Sequence, residues 1–288
     1  MVRRRIADDY IDADSRFTTV EGLNVHYKRA GAGPAVLLLH GSGSSLHSFD
    51  RVAALLSSSF DVIRPDLSGF GLTGPRPDRD YRVQTYARTT AALLDSLGVQ
   101  VASVVGNSLG GNIAWNFALD CPGRVHRLVL INATGYPDKS LPLGLRLARN
   151  PLTRFLLRRM ASRSAVERSL RSAVGPDSTI VDDNMVDRVL AMMMRTGNQA
   201  AFIDFANTGQ LDRTGEMSQI TAPTLILRSD TMDGQHFACD IPGSRESIYV
   251  GGGHLLPEEA PEWVATAIRD FLATDSTGGH DKHFETPR

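Results

Sequence analysis

Three short runs in this chain are apolar almost without a break: Ala35-Val-Leu-Leu-Leu-His40, Arg127-Leu-Val-Leu-Ile131 and Pro223-Thr-Leu-Ile-Leu-Arg228. A strand that reads this way has both faces buried, as in the middle of a parallel sheet. Between the first two, helical periodicity from Tyr86 to Leu97 stops at Gly98, a C-terminal cap residue. A strand follows at Val101-Ala-Ser-Val-Val105, and Leu109 to Leu119 is helical again. Strands also read at Arg16 to Val20, Leu23 to Arg29, Phe60 to Arg64 and Glu246 to Val250, with a last helix from Pro261 to Leu272. Strands alternating with helices require right-handed crossovers and a sheet covered on both sides, so the expected class is α/β.

The alternation stops after Ile131. From Pro137 to about Gln219 the pattern is helical only, interrupted by Pro142, Pro151, Gly175 and Gly197. A helical block of this kind inside an α/β sheet predicts a cap or lid beside the site. The expected organisation is an extension over 1–15, an α/β core over 16–136 and 218–273, a helical cap over 137–217, and a disordered tail over 274–288. The cap is electrically lopsided: residues 139–171 carry nine Lys/Arg and one acid, and residues 172–216 carry seven Asp/Glu and three Arg. Two complementary solvated faces account for this. The competing account, a basic amphipathic face built on Leu152, Phe155, Leu156 and Met160, is weakened by Pro151. Met192-Met-Met194 reads as half core and half surface rather than as pocket lining.

Length and charge narrow the function. At ~150 residues per domain, 288 residues make two units or one core with a large insertion. Lys+Arg 31 against Asp+Glu 32 gives a net charge of -1, so no overall field recruits nucleic acid. Two cysteines, Cys121 and Cys239, make neither a disulfide framework nor a zinc spacing. The basic start Met1-Val-Arg-Arg-Arg runs into the acidic stretch Ile6 to Asp14, unlike a signal peptide, and no apolar run reaches membrane-span length. The expectation is a cytoplasmic protein with no membrane span, no bound metal and no cofactor.

Gly106-Asn-Ser108-Leu-Gly110 falls between a strand and a helix. A serine on such a turn presents its hydroxyl above the carboxyl edge of the sheet, and the helix behind it offers N–H groups to developing negative charge. Ser108 is therefore the candidate nucleophile. His40-Gly-Ser-Gly-Ser44 follows the buried strand ending at Leu39, where a glycine-rich turn can aim N–H groups inward, so the N–H groups of Ser42 and Leu109 are the candidate oxyanion donors. Of eight histidines, His254 in Gly251-Gly-Gly-His-Leu-Leu-Pro257 is the candidate base. His26 and His126 fall in or beside strands, and His40 reads as a buried scaffold residue. His47 and His236 are loop residues, and His280 and His283 lie in the tail. The acid belongs after the strand ending at Arg228, where Asp233, beside Gly234, is preferred and Asp230 is the alternative.

His40-Gly-Ser-Gly, Asp66-Leu-Ser-Gly-Phe-Gly-Leu-Thr73, Gly106-Asn-Ser-Leu-Gly-Gly111, Pro223-Thr-Leu-Ile-Leu and Gly253-His254 occur in the order and spacing of the α/β-hydrolase superfamily, which the chain resembles over residues 16–273. The resemblance implies an eight-stranded sheet, a helical cap after the sixth strand and a Ser-His-Asp triad without a cofactor. Relatives often show Gly-x-x-Asp after the seventh strand; here Arg228-Ser-Asp-Thr-Met-Asp233 lacks that glycine. A serine nucleophile separates the chain from the similar dehalogenases and epoxide hydrolases that attack with aspartate. The expected activity is hydrolysis of a small to medium, largely apolar carboxylic ester or lactone through an acyl-enzyme, with the small-molecule ester as partner and a homodimer left open.

Gly106-Asn107-Ser108 also resembles the nucleophile turn of meta-cleavage carbon–carbon hydrolases, in which the asparagine helps to bind substrate. Arg188 falls roughly where those enzymes hold a substrate carboxylate. The substrate-side candidates are thus Gly41, Asn107 and Arg188. Against this alternative, the loop Ser44 to Asp50 lacks that family's Gly-Pro-Gly and asparagine, and Leu255 stands where it usually has tryptophan. A ligand receptor with an intact triad and little turnover is a third reading.

Overall fold

The computed structural model describes residues 6–137, 143–150, 162–232 and 235–274. Eight strands, β1 (Arg16–Val20), β2 (Leu23–Ala30), β3 (Ala35–Leu39), β4 (Asp61–Pro65), β5 (Ala102–Asn107), β6 (Val125–Ile131), β7 (Thr224–Ser229) and β8 (Arg245–Tyr249), form one sheet in the order β1-β2-β4-β3-β5-β6-β7-β8. β1 and β2 are antiparallel, as are β2 and β4; every other pair is parallel. The register pairs Leu39 with Gly106, Asn107 with Ile131, and Ile131 with Leu227, so the carboxyl ends of four central strands finish side by side. In an open parallel sheet this edge is where ligands bind.

Alternate residues of the central strands fill two separate cores, as the two-residue strand period demands. Leu37, Leu39, Val104, Leu128 and Leu130 pack with α2 (Val83–Ser96) and α3 (Leu109–Asp120). Val36, Leu38, Val105, Val129 and Ile131 pack with α1 (Asp50–Leu56) and a C-terminal helix (Pro261–Ala273). The sequence pattern does not reveal α1. Its seven residues are too few to show a period, and it starts directly from the 3-10 turn Leu46–Phe49.

Between Ile131 and Thr224 the described residues contain no strand. Among the described residues the insertion holds four α-helices: α4 (Leu143–Arg149), α5 (Arg163–Arg171), α6 (Asp183–Met194) and α7 (Asn198–Asn207). Val166, Val181, Met185, Val186 and Leu190 give it a small core of its own. Its charges meet across helices, where Arg163 of α5 bonds Asp183 and Asp187 of α6, and within α5, where Arg171 bonds Glu167 at 2.9 Å. The alternative face on Leu152, Phe155, Leu156 and Met160 lies outside the described residues. Met192 is buried and Met194 exposed, the expected split.

Residues 6–15 tie the sheet to the insertion. Ala7 packs with Leu72 and with Met192 of α6, Tyr10 meets the ring of His47 edge-on at 5.9 Å, and Asp12 pairs with the buried Lys28. At the other end, residues 275–288 of the expected tail lie outside the described residues. Thr274 does not belong to that tail, because its carbonyl accepts a hydrogen bond from Arg127. No helix among the described residues is long and apolar enough to cross a membrane.

Asp66 holds the loops at the carboxyl edge. Fully buried, its carboxylate accepts from the Leu46 and Leu72 N–H groups, both at 2.7 Å, and bonds His26 Nδ1 at 2.7 Å. Burial raises its pKa, but the His26 bond and charge, the charge of His40 and the backbone bond from Leu72 outweigh it, leaving the carboxyl below its ordinary value. One side chain thus fixes the loops after both β3 and β4. Asp66→Asn turns a donor toward these N–H groups and should lower the unfolding free energy by about 3 kcal/mol or more in urea titrations.

Candidate active site

Ser108 is the only residue between β5 and α3, and it sits at φ 54°, ψ −115°. A non-glycine residue held there stores on the order of 1–3 kcal/mol of strain, which persists only if its surroundings enforce it. They do. A Cβ at Gly106 would lie 2.2 Å from the Gly110 carbonyl oxygen, and one at Gly110 would lie 2.0 Å from that of Leu39. Only glycines allow α3 to start this close to β3 and β5. The Ser108 N–H donates to the Ile131 carbonyl at 3.0 Å, and its own carbonyl accepts from Asn112 and Thr134. Ser108 is thereby fixed at the carboxyl edge of the sheet, buried at 7% exposure.

Two groups of main-chain donors border it. Leu109 contributes the first N–H of α3, which has no intrahelical acceptor. The loop after β3 lies against the serine, since a Cβ at Gly41 would be 3.2 Å from Ser108 Cβ; Ser42 is the next residue. His40 fixes this loop. Its Nδ1 donates to the Gly41 carbonyl at 2.7 Å and its Nε2 accepts the Leu67 N–H at 2.9 Å. Burial holds its pKa below the ordinary histidine value, so it stays neutral in one tautomer as a scaffold residue.

His254 is placed through its main chain from several sides. Its N–H donates to the Ala173 carbonyl of the insertion at 2.6 Å. The Asn132 amide donates to the Gly253 carbonyl at 3.0 Å and reaches the His254 carbonyl at 3.4 Å, as does the Asn107 amide. Asn132 Oδ1 in turn accepts the Ser229 N–H at 2.9 Å, which ties β6, β7 and the histidine loop together. Asn107 Nδ2 also donates to the Ile131 carbonyl at 3.1 Å, so the amide expected on the substrate side is turned to the main chain.

Asp230 and Asp233 separate. Asp230 is exposed, and its Oδ1 accepts the Gly251 N–H at 2.9 Å, which bridges the ends of β7 and β8. This gives the alternative acid a turn-stabilising bond. Asp233, the preferred acid, lies outside the described residues, as do His280 and His283. Arg188, the candidate for a substrate carboxylate, pairs with Glu258, four residues after His254. Burial raises the Glu258 pKa and Arg188 pulls it back only in part. Asn132, Glu258 and Glu259 were not signalled as site residues by any motif. A polar residue directly after the buried run ending at Ile131 was the one cue for Asn132.

Residues 34–261 match the family described as alpha/beta hydrolase fold. The chain belongs to that family. A 2-hydroxy-6-oxononadienedioate/2-hydroxy-6-oxononatrienedioate hydrolase of Cupriavidus pinatubonensis is 31% identical over 280 residues, covering 90% of this chain and 95% of that protein. An uncharacterized protein of Mycobacterium tuberculosis is 32% identical over 286 residues, covering 93% and 83%. Among solved structures, a thermophilic esterase from Thermogutta terrifontis superposes with a TM-score of 0.75 at 24% identity, covering 90% of this chain and 98% of that one. This last likeness is one of fold.

His47 offers a pH test of the packing beside the site. Burial, offset only in part by Asp50 and Asp66, pushes it down to about 4. The unfolded chain binds a proton at about 6.5 and the folded chain does not, so stability is complete above that pH and drains as pH falls toward 4. His47→Gln should flatten that fall, which is on the order of 3 kcal/mol, in urea unfolding measured from pH 7 to 4.

Proposed function

We propose that this hydrolase cleaves a carboxylic ester or lactone, small to medium and largely apolar, through an acyl-enzyme on Ser108. The observation that carries the proposal is the strained Ser108 turn, bordered by the Gly41–Ser42 loop and the start of α3. In this reading Ser108 Oγ attacks the carbonyl carbon as His254 takes its proton. The N–H groups of Ser42 and Leu109 hold the oxyanion, each worth ~2.7–4 kcal/mol of barrier. His254 then protonates the leaving alcohol, and a water activated by the same imidazole releases the acid. Asp233 would accept the imidazole N–H and fix its tautomer. The chemistry calls for no cofactor. The Arg188–Glu258 pair supports a neutral substrate, because the cation's charge is already met.

A second reading, carbon–carbon hydrolysis of a meta-cleavage product, has the Cupriavidus relative in its favour. Against it stand the engaged Arg188 and the Asn107 amide turned to the main chain.

Pre-steady-state release of p-nitrophenol from acetyl, butyryl and octanoyl esters separates the readings. A burst followed by steady turnover, lost by at least about 10³-fold in Ser108→Ala, is the expected result. Turnover of a 2-hydroxy-6-oxo-dienoate without any ester burst would replace the proposal with the second reading, and a stoichiometric burst that stalls would indicate a receptor. With the same ester, Asp233→Asn should lose about 10³- to 10⁴-fold in kcat, whereas Asp230→Asn should stay within about threefold of wild type. The reverse ranking would reassign the acid.

A further inference from the structure

The histidine loop is built into the insertion as much as into the sheet. Three independent contacts make the join. The His254 N–H donates to the Ala173 carbonyl, between α5 and α6, at 2.6 Å. The Glu259 carboxylate accepts the Gly253 N–H through both oxygens at 3.0 Å, and the N–H of Gly175 in the insertion at 2.7 Å. Leu255, directly after the histidine, packs in the insertion's own apolar cluster with Val166, Met185 and Val186.

The two backbones meet without side chains between them. A Cβ at Gly175 would lie 2.0 Å from the Gly251 carbonyl oxygen, and one at Gly253 would lie 2.4 Å from the main chain of Val174. At this spacing neither segment can shift by an ångström without the other. Both N–H groups at the seam need an acceptor, and one half-buried carboxylate serves both.

We propose that Glu259 is a positioning residue for His254, and that through it the 173–175 segment of the insertion sets where the imidazole stands. It acts on the base through the Gly253 peptide and touches no reacting atom. The insertion is accordingly a fixed wall of the site at this seam, not a lid that swings clear of the histidine. The catalytic consequence rests on the serine-hydrolase reading above; the mechanical coupling does not.

Glu259→Gln and Glu259→Ala, with Glu262→Gln at an exposed pair as control, test this in the full-length chain. With p-nitrophenyl butyrate, kcat should fall about 10- to 100-fold while KM stays within about twofold, the signature of a displaced base in an intact binding site. Fluorophosphonate inactivation of Ser108 should slow in step, and Glu262→Gln should match wild type in both. Hydrogen exchange should rise together in the 173–175 and 251–255 segments, and the ring ¹⁵N resonances of His254 should shift or broaden while those of His40 do not. Unchanged kcat, a loss confined to KM, or a rise in exchange on one side of the seam alone would overturn the proposal. If wild type neither turns over esters nor labels at Ser108, the hydrolase reading has failed. Exchange and the His254 resonances then still decide the coupling: joint change supports it, and no change overturns it.

Discussion

The approach of Gly110 to the Leu39 carbonyl is the contact on which the site depends. A methyl group there would stand 2.0 Å from that oxygen, so the start of α3 could not reach the end of β3 if position 110 carried a side chain. From this approach follow the positive φ of Ser108 and its place at the sheet edge. The nearness of the Gly41 loop follows as well. The strain at Ser108 is local, whereas what enforces it is global: four parallel strands in register and a helix pressed onto their ends. Strain at a functional residue persists in a protein only when the rest of the structure over-determines it in this manner.

Around that turn, buried polar groups do the arranging. Asp66 gathers the loops after β3 and β4, His40 pins the first of them, and Asn132 joins β6, β7 and the histidine loop. Each is buried and each has its hydrogen-bonding groups engaged by main chain. Buried polar groups placed so convert backbone that would otherwise be loose into fixed geometry, since leaving any one unpaired is expensive. The same logic makes Glu258 beside Arg188 informative: a half-buried carboxylate next to a cation uses up that cation's charge.

The sheet was legible because buried parallel strands announce themselves as unbroken apolar runs, and the Ser108 turn because Gly106, Ser108 and Gly110 stand at fixed offsets between a strand and a helix. His40 was legible as scaffold by its place at the end of such a run. Glu259 was not. Nothing near it in sequence shows that the Gly175 N–H, on a segment more than eighty residues away, needs an acceptor. The bonds of Asn107 were illegible for a related reason, as its place beside the serine suggests a ligand while its amide Nδ2 finds two main-chain carbonyls. The α1 helix escaped because seven residues hold less than two turns of pattern. Local periodicity and motif spacing reveal what a segment is, but not which distant backbone it must satisfy.

The glycine-to-glycine seam between 173–175 and 251–254 bears on how such a chain can diversify. Insertions on a conserved sheet are commonly regarded as exchangeable parts that alter specificity while the core keeps its chemistry. Here the boundary between part and core runs through backbone contacts on the histidine loop itself. A foreign insertion grafted between β6 and β7 would have to reproduce a bare stretch of main chain at that height, or leave the His254 N–H without its acceptor. Exchange of specificity on this scaffold therefore has a minimum unit, which is the helices together with the short turn at 173–175 that touches the loop, and recombination points chosen inside α6 or later would preserve it.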